Sequence, residues 1–181
     1  IDWKFIEQFL NSMQHDINNT KHNESSYKEY IAGSAEAVGL MCLKVFCNNQ
    51  NDLFNNLENY AKILGSVFQK VNFIRDMNAD YNQLQRVYFP NLDINKFNEQ
   101  EKLKIELDIE NEFRLALVGV KKLPAESKKG VFLAYSYYYS LFKKIKKTPA
   151  IQILQKRIRI PNTLKIITLI KIEIKYRLNL I

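Results

Sequence analysis

Trp3, Phe5, Ile6, Phe9, Leu10, Met13 and Ile17 recur at the spacing that puts apolar side chains on one helix face, and they predict a first helix over 2–19. Asn18–Thr20 and His22–Ser26 interrupt that pattern. Ser25 or Ser26 offers a cap for a second helix running to about Phe46. Asn48–Asn51 reads as a polar turn, with Asn51 or Asp52 capping a third helix from Leu53 to about Asn82. Tyr88-Phe89-Pro90-Asn91 breaks the chain, because proline disfavours helix at the residue before it. Phe97, Leu103, Leu107, Phe113, Leu117 and Val120 predict a fourth helix over 95–123, and Pro124 separates it from a fifth over 125–147. Beyond Pro149 and Pro161, Ile170, Ile172, Ile174 and Tyr176 alternate as in a strand. The helices around them favour a terminal helix over 164–180.

Length and composition sharpen this picture. With 181 residues, 46% of them hydrophobic, the chain can bury one core, and residues 1–181 read as a single domain. Five glycines and four prolines leave long helices uninterrupted. No apolar run is long enough to span a bilayer and nothing resembles a signal peptide, so the expected location is cytoplasmic. Cys42 and Cys47 face different directions on one helix and read as reduced core residues.

The net charge of +8 is uneven: residues 121–181 carry 15 Lys and Arg against Glu126 and Glu173 alone. A basic end suits phosphate, anionic lipid or nucleic acid, although each cluster reads equally well as a solvated helix face. No nucleic-acid motif, glycine-rich phosphate loop or nucleophile with a nearby histidine is present. His15 and His22 share a face, but their polar surroundings place both at the surface.

The third helix carries the chemistry. Gln69, Asn72, Asp76 and Asp80 fall within about 80° of one helix face, and Gly65 lies on the same stripe. A core-facing stripe would be apolar, because unpaired buried carboxylates are costly. Hard oxygen ligands with Arg75 beside them suit Mg2+ holding a phosphate group; a solvated face is the alternative. On the second helix Tyr30, Gly33, Ser34, Ala37 and Met41 share a face. Its small residues leave room either for something long and apolar or for a close helix neighbour.

Together the segment Tyr30-Ile-Ala-Gly33-Ser-Ala35-Glu-Ala-Val38-Gly39-Leu-Met41 and the segment Gln69-x-x-Asn72-x-x-Arg75-Asp76-x-x-x-Asp80, with Arg86-x-Tyr88-x-Pro90, resemble the two signatures of the squalene/phytoene synthase family. Weaker similarity covers Phe9–Asp16, Ala134–Tyr139 and Arg157-Ile-Arg159. The resemblance implies an all-α, isoprenoid synthase-type helical bundle with its cavity inside. It implies that Asn72 and Asp76 bind Mg2+, that Asp80 completes the acidic cluster, and that Gln69 and Arg75 contact the prenyl diphosphate. By the same resemblance Tyr30 and Tyr138 contact substrate, although Tyr135, Tyr137 and Tyr139 crowd the last assignment.

The implied reaction joins two molecules of geranylgeranyl or farnesyl diphosphate head to head through a cyclopropyl intermediate, with Asp76, Asp80 and Arg75 as the catalytic group. Phytoene is the expected product; squalene, with NADPH, or dehydrosqualene is the alternative, and a noncatalytic helical binding protein is a third reading. The chain departs from the pattern at Ala32 and Glu36, and the family's first aspartate-rich motif is missing from the 181 residues. The expectation is therefore a partial domain lacking the N-terminal third, inactive alone. Asp108 and Glu112 stand four apart but in a charged helix, and read as a solvated face. Lipophilic substrates and a basic C-terminal region further suggest peripheral association with the inner membrane surface.

Overall fold

Each predicted helix has an apolar stripe to cover, and packing helix on helix covers it. The computed structural model describes residues 1–18 and 22–178, and no β-strand occurs among them. In order come α1 (Trp3–Asn18), α2 (Glu24–Ile31), a π-helical turn (Ala32–Glu36), α3 (Ala37–Phe46), α4 (Asn51–Leu84), a 3-10 turn (Ile94–Lys96), α5 (Glu99–Lys122), α6 (Ala125–Lys146), α7 (Ala150–Ile153) and α8 (Asn162–Arg177). The fold class is the all-α one the resemblance implies.

Helix ends differ locally from expectation. Asn23, not Ser25 or Ser26, caps α2: its side chain accepts from the Ser26 amide at 2.9 Å, while the Ser26 hydroxyl accepts from the Asn23 amide at 3.0 Å. The third helix starts after Gln50, which makes no side-chain cap bond. It ends at Gln85, whose φ of 54° is left-handed and stops the helix. The alternating isoleucines of the last segment are helical, within α8.

The long α4 lies at the centre, against α3, α5 and α6. Its Val67, Val71 and Ile74 meet Ile109 and Phe113 of α5 and Phe142 and Ile145 of α6 in the main core. Burying each such side chain contributes about 1.5–3 kcal/mol. A second core joins α1, α3 and the start of α4 through Phe5, Ala37, Leu40, Cys47 and Leu57. Between α3 and α4 the backbones nearly touch: a Cβ at Gly39 would come within 2.5 Å of the Ala61 carbonyl, and one at Gly65 would strike the Ala35 carbonyl. These glycines permit the crossing.

Three expectations of exposure or burial are corrected. Cys47 is buried, but Cys42 is exposed. His22 is buried, its ring 5.2 Å from Tyr30 and 5.7 Å from Tyr88, because the chain entering α2 folds inward over Tyr88. Glu112 belongs to no solvated face: buried Lys70 of α4 bonds it at 2.8 Å and Asp108 at 2.5 Å, and the Ser66 hydroxyl donates to Glu112. Burial alone would lower the Lys70 pKa, but Glu112 and Asp108 more than offset that and hold it above the ordinary lysine value.

Candidate active site

The site begins with the π turn. The Ala37 amide bonds the Ala32 carbonyl five residues back, so this turn holds roughly one residue more than an α turn. A regular helix would carry the face of Tyr30, Gly33 and Ser34 on to Ala37 and Met41. Past the extra residue the faces separate. Gly33 presses against Gln8 and Ser12 of α1, and Ala37 enters the second core. Ser34, Val38, Cys42 and Phe46, each four apart, line a cavity instead. The small residues therefore serve both readings left open above, on different faces.

That cavity has a volume of about 600 Å³ and lies among α3, α4, α5 and α6. Along α4 it is lined by Leu57, Tyr60, Ala61, Leu64, Gly65, Phe68 and Gln69. Twelve residues separate the first from the last, about 18 Å of helix. Its wall is apolar except at the ends, where Gln69 and Ser34 lie at one and Glu126 and Ser127 at the other.

Gln69 joins the cavity to the polar face of α4. The Asn72 amide donates to the Gln69 side-chain oxygen at 3.4 Å, while the Asn72 Oδ1 is buried with no hydrogen-bond partner. One turn on, Arg75 grips the Asp76 carboxylate with two hydrogen bonds. This raises the Arg75 pKa further and keeps its charge fixed. Arg157 reaches the same carboxylate from the loop after α7, Nε to Oδ1 at 2.6 Å. The Asn78 side chain, bonded to the Leu154 carbonyl at 2.5 Å, holds that loop against α4.

Tyr138 stacks on the cavity residue Phe68, ring centroids 4.0 Å apart, and lies near Arg75. Gln69, Asn72, Arg75, Asp76 and Tyr138 thus meet at one end of the cavity. Of the expected site residues only Gln69 lines the cavity itself; Asn72, Arg75, Asp76 and Tyr138 lie next to that end, and Asp80 and Tyr30 stand farther off. Asp80 lines a small crevice with Arg86 and Tyr88, and Tyr30 packs against Tyr88 at 5.4 Å and Phe73 at 6.0 Å. The Arg-x-Tyr-x-Pro segment folds back on α4, Tyr88 stacking on Phe73 at 4.1 Å.

In the sequence Arg157 stands out only as part of a basic cluster and of the weaker family similarity, with no role attached. Nothing in its spacing announces a partner 81 residues upstream. Among the described residues no three His, Cys, Asp or Glu side chains come together as a metal cluster. That does not count against Mg2+, which takes one or two carboxylates and completes its shell with water and phosphate oxygens. The unsatisfied Asn72 oxygen beside Asp76 fits such an ion.

The family model for squalene/phytoene synthase matches residues 1–112. The match runs from α1 into α5, covers Tyr30, the π turn and the α4 stripe, and leaves Tyr138 and Arg157 outside it. No curated protein matches the chain.

Proposed function

Because the chain belongs to the squalene/phytoene synthase family, whose members are prenyltransferases using prenyl diphosphates, we propose that it binds a prenyl diphosphate for head-to-head condensation, most simply to phytoene. One observation carries this reading: an apolar cavity of about 600 Å³ ends at Gln69, next to an unsatisfied Asn72 oxygen and two guanidinium groups on Asp76. An isoprenoid chain suits the cavity and a diphosphate suits its charged end.

Asn72 and Asp76 are the residues that would hold Mg2+, with Asp80 one turn further along α4. Mg2+, when bound, neutralises diphosphate charge and makes it a better leaving group. Arg75 and Arg157 present fixed positive charge to the departing phosphate oxygens. Gln69 orients the head group from the cavity side. Phe68 and Tyr138 offer ring faces near the allylic cation that ionisation leaves, and the aliphatic wall keeps water from it.

The test incubates the full-length protein with Mg2+ and labelled farnesyl or geranylgeranyl diphosphate, alongside Asp76→Ala. A hydrocarbon product lost in the variant supports the reading, and its carbon count separates phytoene from squalene or dehydrosqualene. Adding NADPH tests the squalene branch. A folded protein that binds both diphosphates and converts neither would favour the noncatalytic binding reading.

Peripheral membrane association is a second part of the proposal. No helix among the described residues is long and apolar enough to cross a membrane. However, α8 buries Ile172 against the bundle and leaves Ile166, Ile167, Ile170, Ile174 and Leu178 exposed, beside Lys171, Lys175 and Arg177. Apolar residues edged by basic ones suit an anionic lipid surface. Removing residues 162–181 should abolish sedimentation with anionic vesicles; retained binding would sink this part.

A further inference from the structure

Helix α6 turns Glu126, Ser127, Gly130, Val131 and Ala134 toward the cavity. These positions span an arc of about 140°, with residue 130 within about 30° of its middle. Gly130 is therefore a missing side chain in the cavity wall. A Cβ placed there meets nothing within 4 Å. The other four glycines differ: at Gly33, Gly39, Gly65 and Gly119 a Cβ would collide with a neighbouring backbone or with the Ser12 or Tyr60 side chain. Backbone conformation does not explain Gly130 either, since no glycine among the described residues has positive φ. Inside a helix glycine is less stable than alanine. Packing and geometry would both accept a side chain at 130. Gly130 is exposed, and leaving the side chain out keeps the cavity volume beside it open.

Depth says which part of a bound chain would pass this gap. Tyr138 lies at the charged end, stacked on Phe68, while the α5–α6 corner lies at the far end, with Lys122 over Tyr60 and Leu123 on the cavity wall. Gly130 is eight residues from Tyr138 along α6, about 12 Å. An extended isoprenoid advances roughly 5 Å per five-carbon unit. The first two units would end short of Gly130, and the third would lie beside it.

We propose that Gly130 sets the prenyl chain length this cavity accepts, its absent side chain leaving passage for the third and fourth isoprene units. This rests on the prenyl diphosphate reading above, and the experiment separates the two. Thiodiphosphate analogues carrying geranyl, farnesyl and geranylgeranyl chains are titrated with Mg2+ into the wild type, Gly130→Ala and Gly130→Leu. The corresponding alcohols are titrated in parallel by displacement of a fluorescent prenyl probe, and each protein is melted.

Affinity should climb from two to four units in the wild type. Gly130→Leu should leave the geranyl ligand unchanged and weaken the geranylgeranyl ligand by about tenfold or more. Gly130→Ala should fall between them in affinity while melting above the wild type, so its effect on binding cannot come from a damaged fold. An equal loss across all chain lengths, or an unchanged ladder, overturns the proposal. If the alcohols show the ladder and its dependence on residue 130 while no diphosphate binds, the head-group reading falls and the role of Gly130 stands. Alcohol binding that ignores residue 130 overturns it whatever the diphosphates do.

Discussion

At the scale of single residues, Asn72 keeps a buried oxygen that the fold leaves unsatisfied. Such an atom costs about 1–3 kcal/mol, which a protein tolerates where a ligand needs it. Asn72→Leu should therefore raise stability by about 1 kcal/mol in denaturant titration while Mg2+-dependent diphosphate binding disappears. A variant that is both less stable and fully binding would show the oxygen to be structural. Arg157 predicts the opposite balance. Its ion pair with Asp76 is partly exposed, 46% and 20% for the two side chains, so Arg157→Gln should change stability by less than about 1 kcal/mol. The same substitution should weaken prenyl diphosphate binding about tenfold, since a charged hydrogen bond to phosphate is lost. Thiol labelling gives a third check. Cys42 is exposed on the cavity wall and Cys47 is buried, its thiol pKa raised by desolvation. A maleimide should modify one cysteine in the native chain and both after unfolding, and occupancy of the cavity should slow the first reaction.

At the scale of elements, the pairing of α4 with α5 is fixed by charge as well as by apolar contact. Lys70→Met would strand Glu112 in a mostly buried position and should cost about 3 kcal/mol, measured by urea unfolding. The folded chain holds the Lys70 proton more tightly than an unfolded chain does. Its contribution is therefore fully present below the ordinary lysine pKa and lost as pH rises through the raised value. The stability gap between wild type and Lys70→Met should close at strongly alkaline pH; a constant gap would place the effect in packing. Periodicity made α1 and α5 legible in the sequence, whereas α6 was set off by Pro124 and α8 was legible as helix from its helical surroundings, against a strand-like alternation of isoleucines. The α4 stripe was equally plain, since polar residues repeat where apolar ones belong. Glu112 was misread because its partner, Lys70, sits on another helix. The cavity wall was misread because wheel geometry assumes 3.6 residues per turn throughout, and the π turn breaks that assumption.

At the scale of the whole molecule, the fold pairs a charged end built by α4 and the loop after α7 with an apolar interior shared by α3, α4, α5 and α6. The family match covers the α4 part of this arrangement and ends within α5. Tyr138 and Arg157 complete the charged end from outside that match, and their local sequence signal is faint because their partners, Phe68 and Asp76, lie far away along the chain. The π turn carries a consequence for how such chains can vary. Helices α2 and α3 are mechanically one rod with two phases, and a single residue separates those phases. Deleting one residue from Ala32–Glu36 would restore a regular helix and twist one half against the other by about 100°. Tyr30 could then no longer meet Tyr88 while Ser34 and Val38 face the cavity. Relatives that differ here by one residue would show cavity positions displaced by one along the rest of the rod, and aligning them without a gap would compare residues that never occupy the same place.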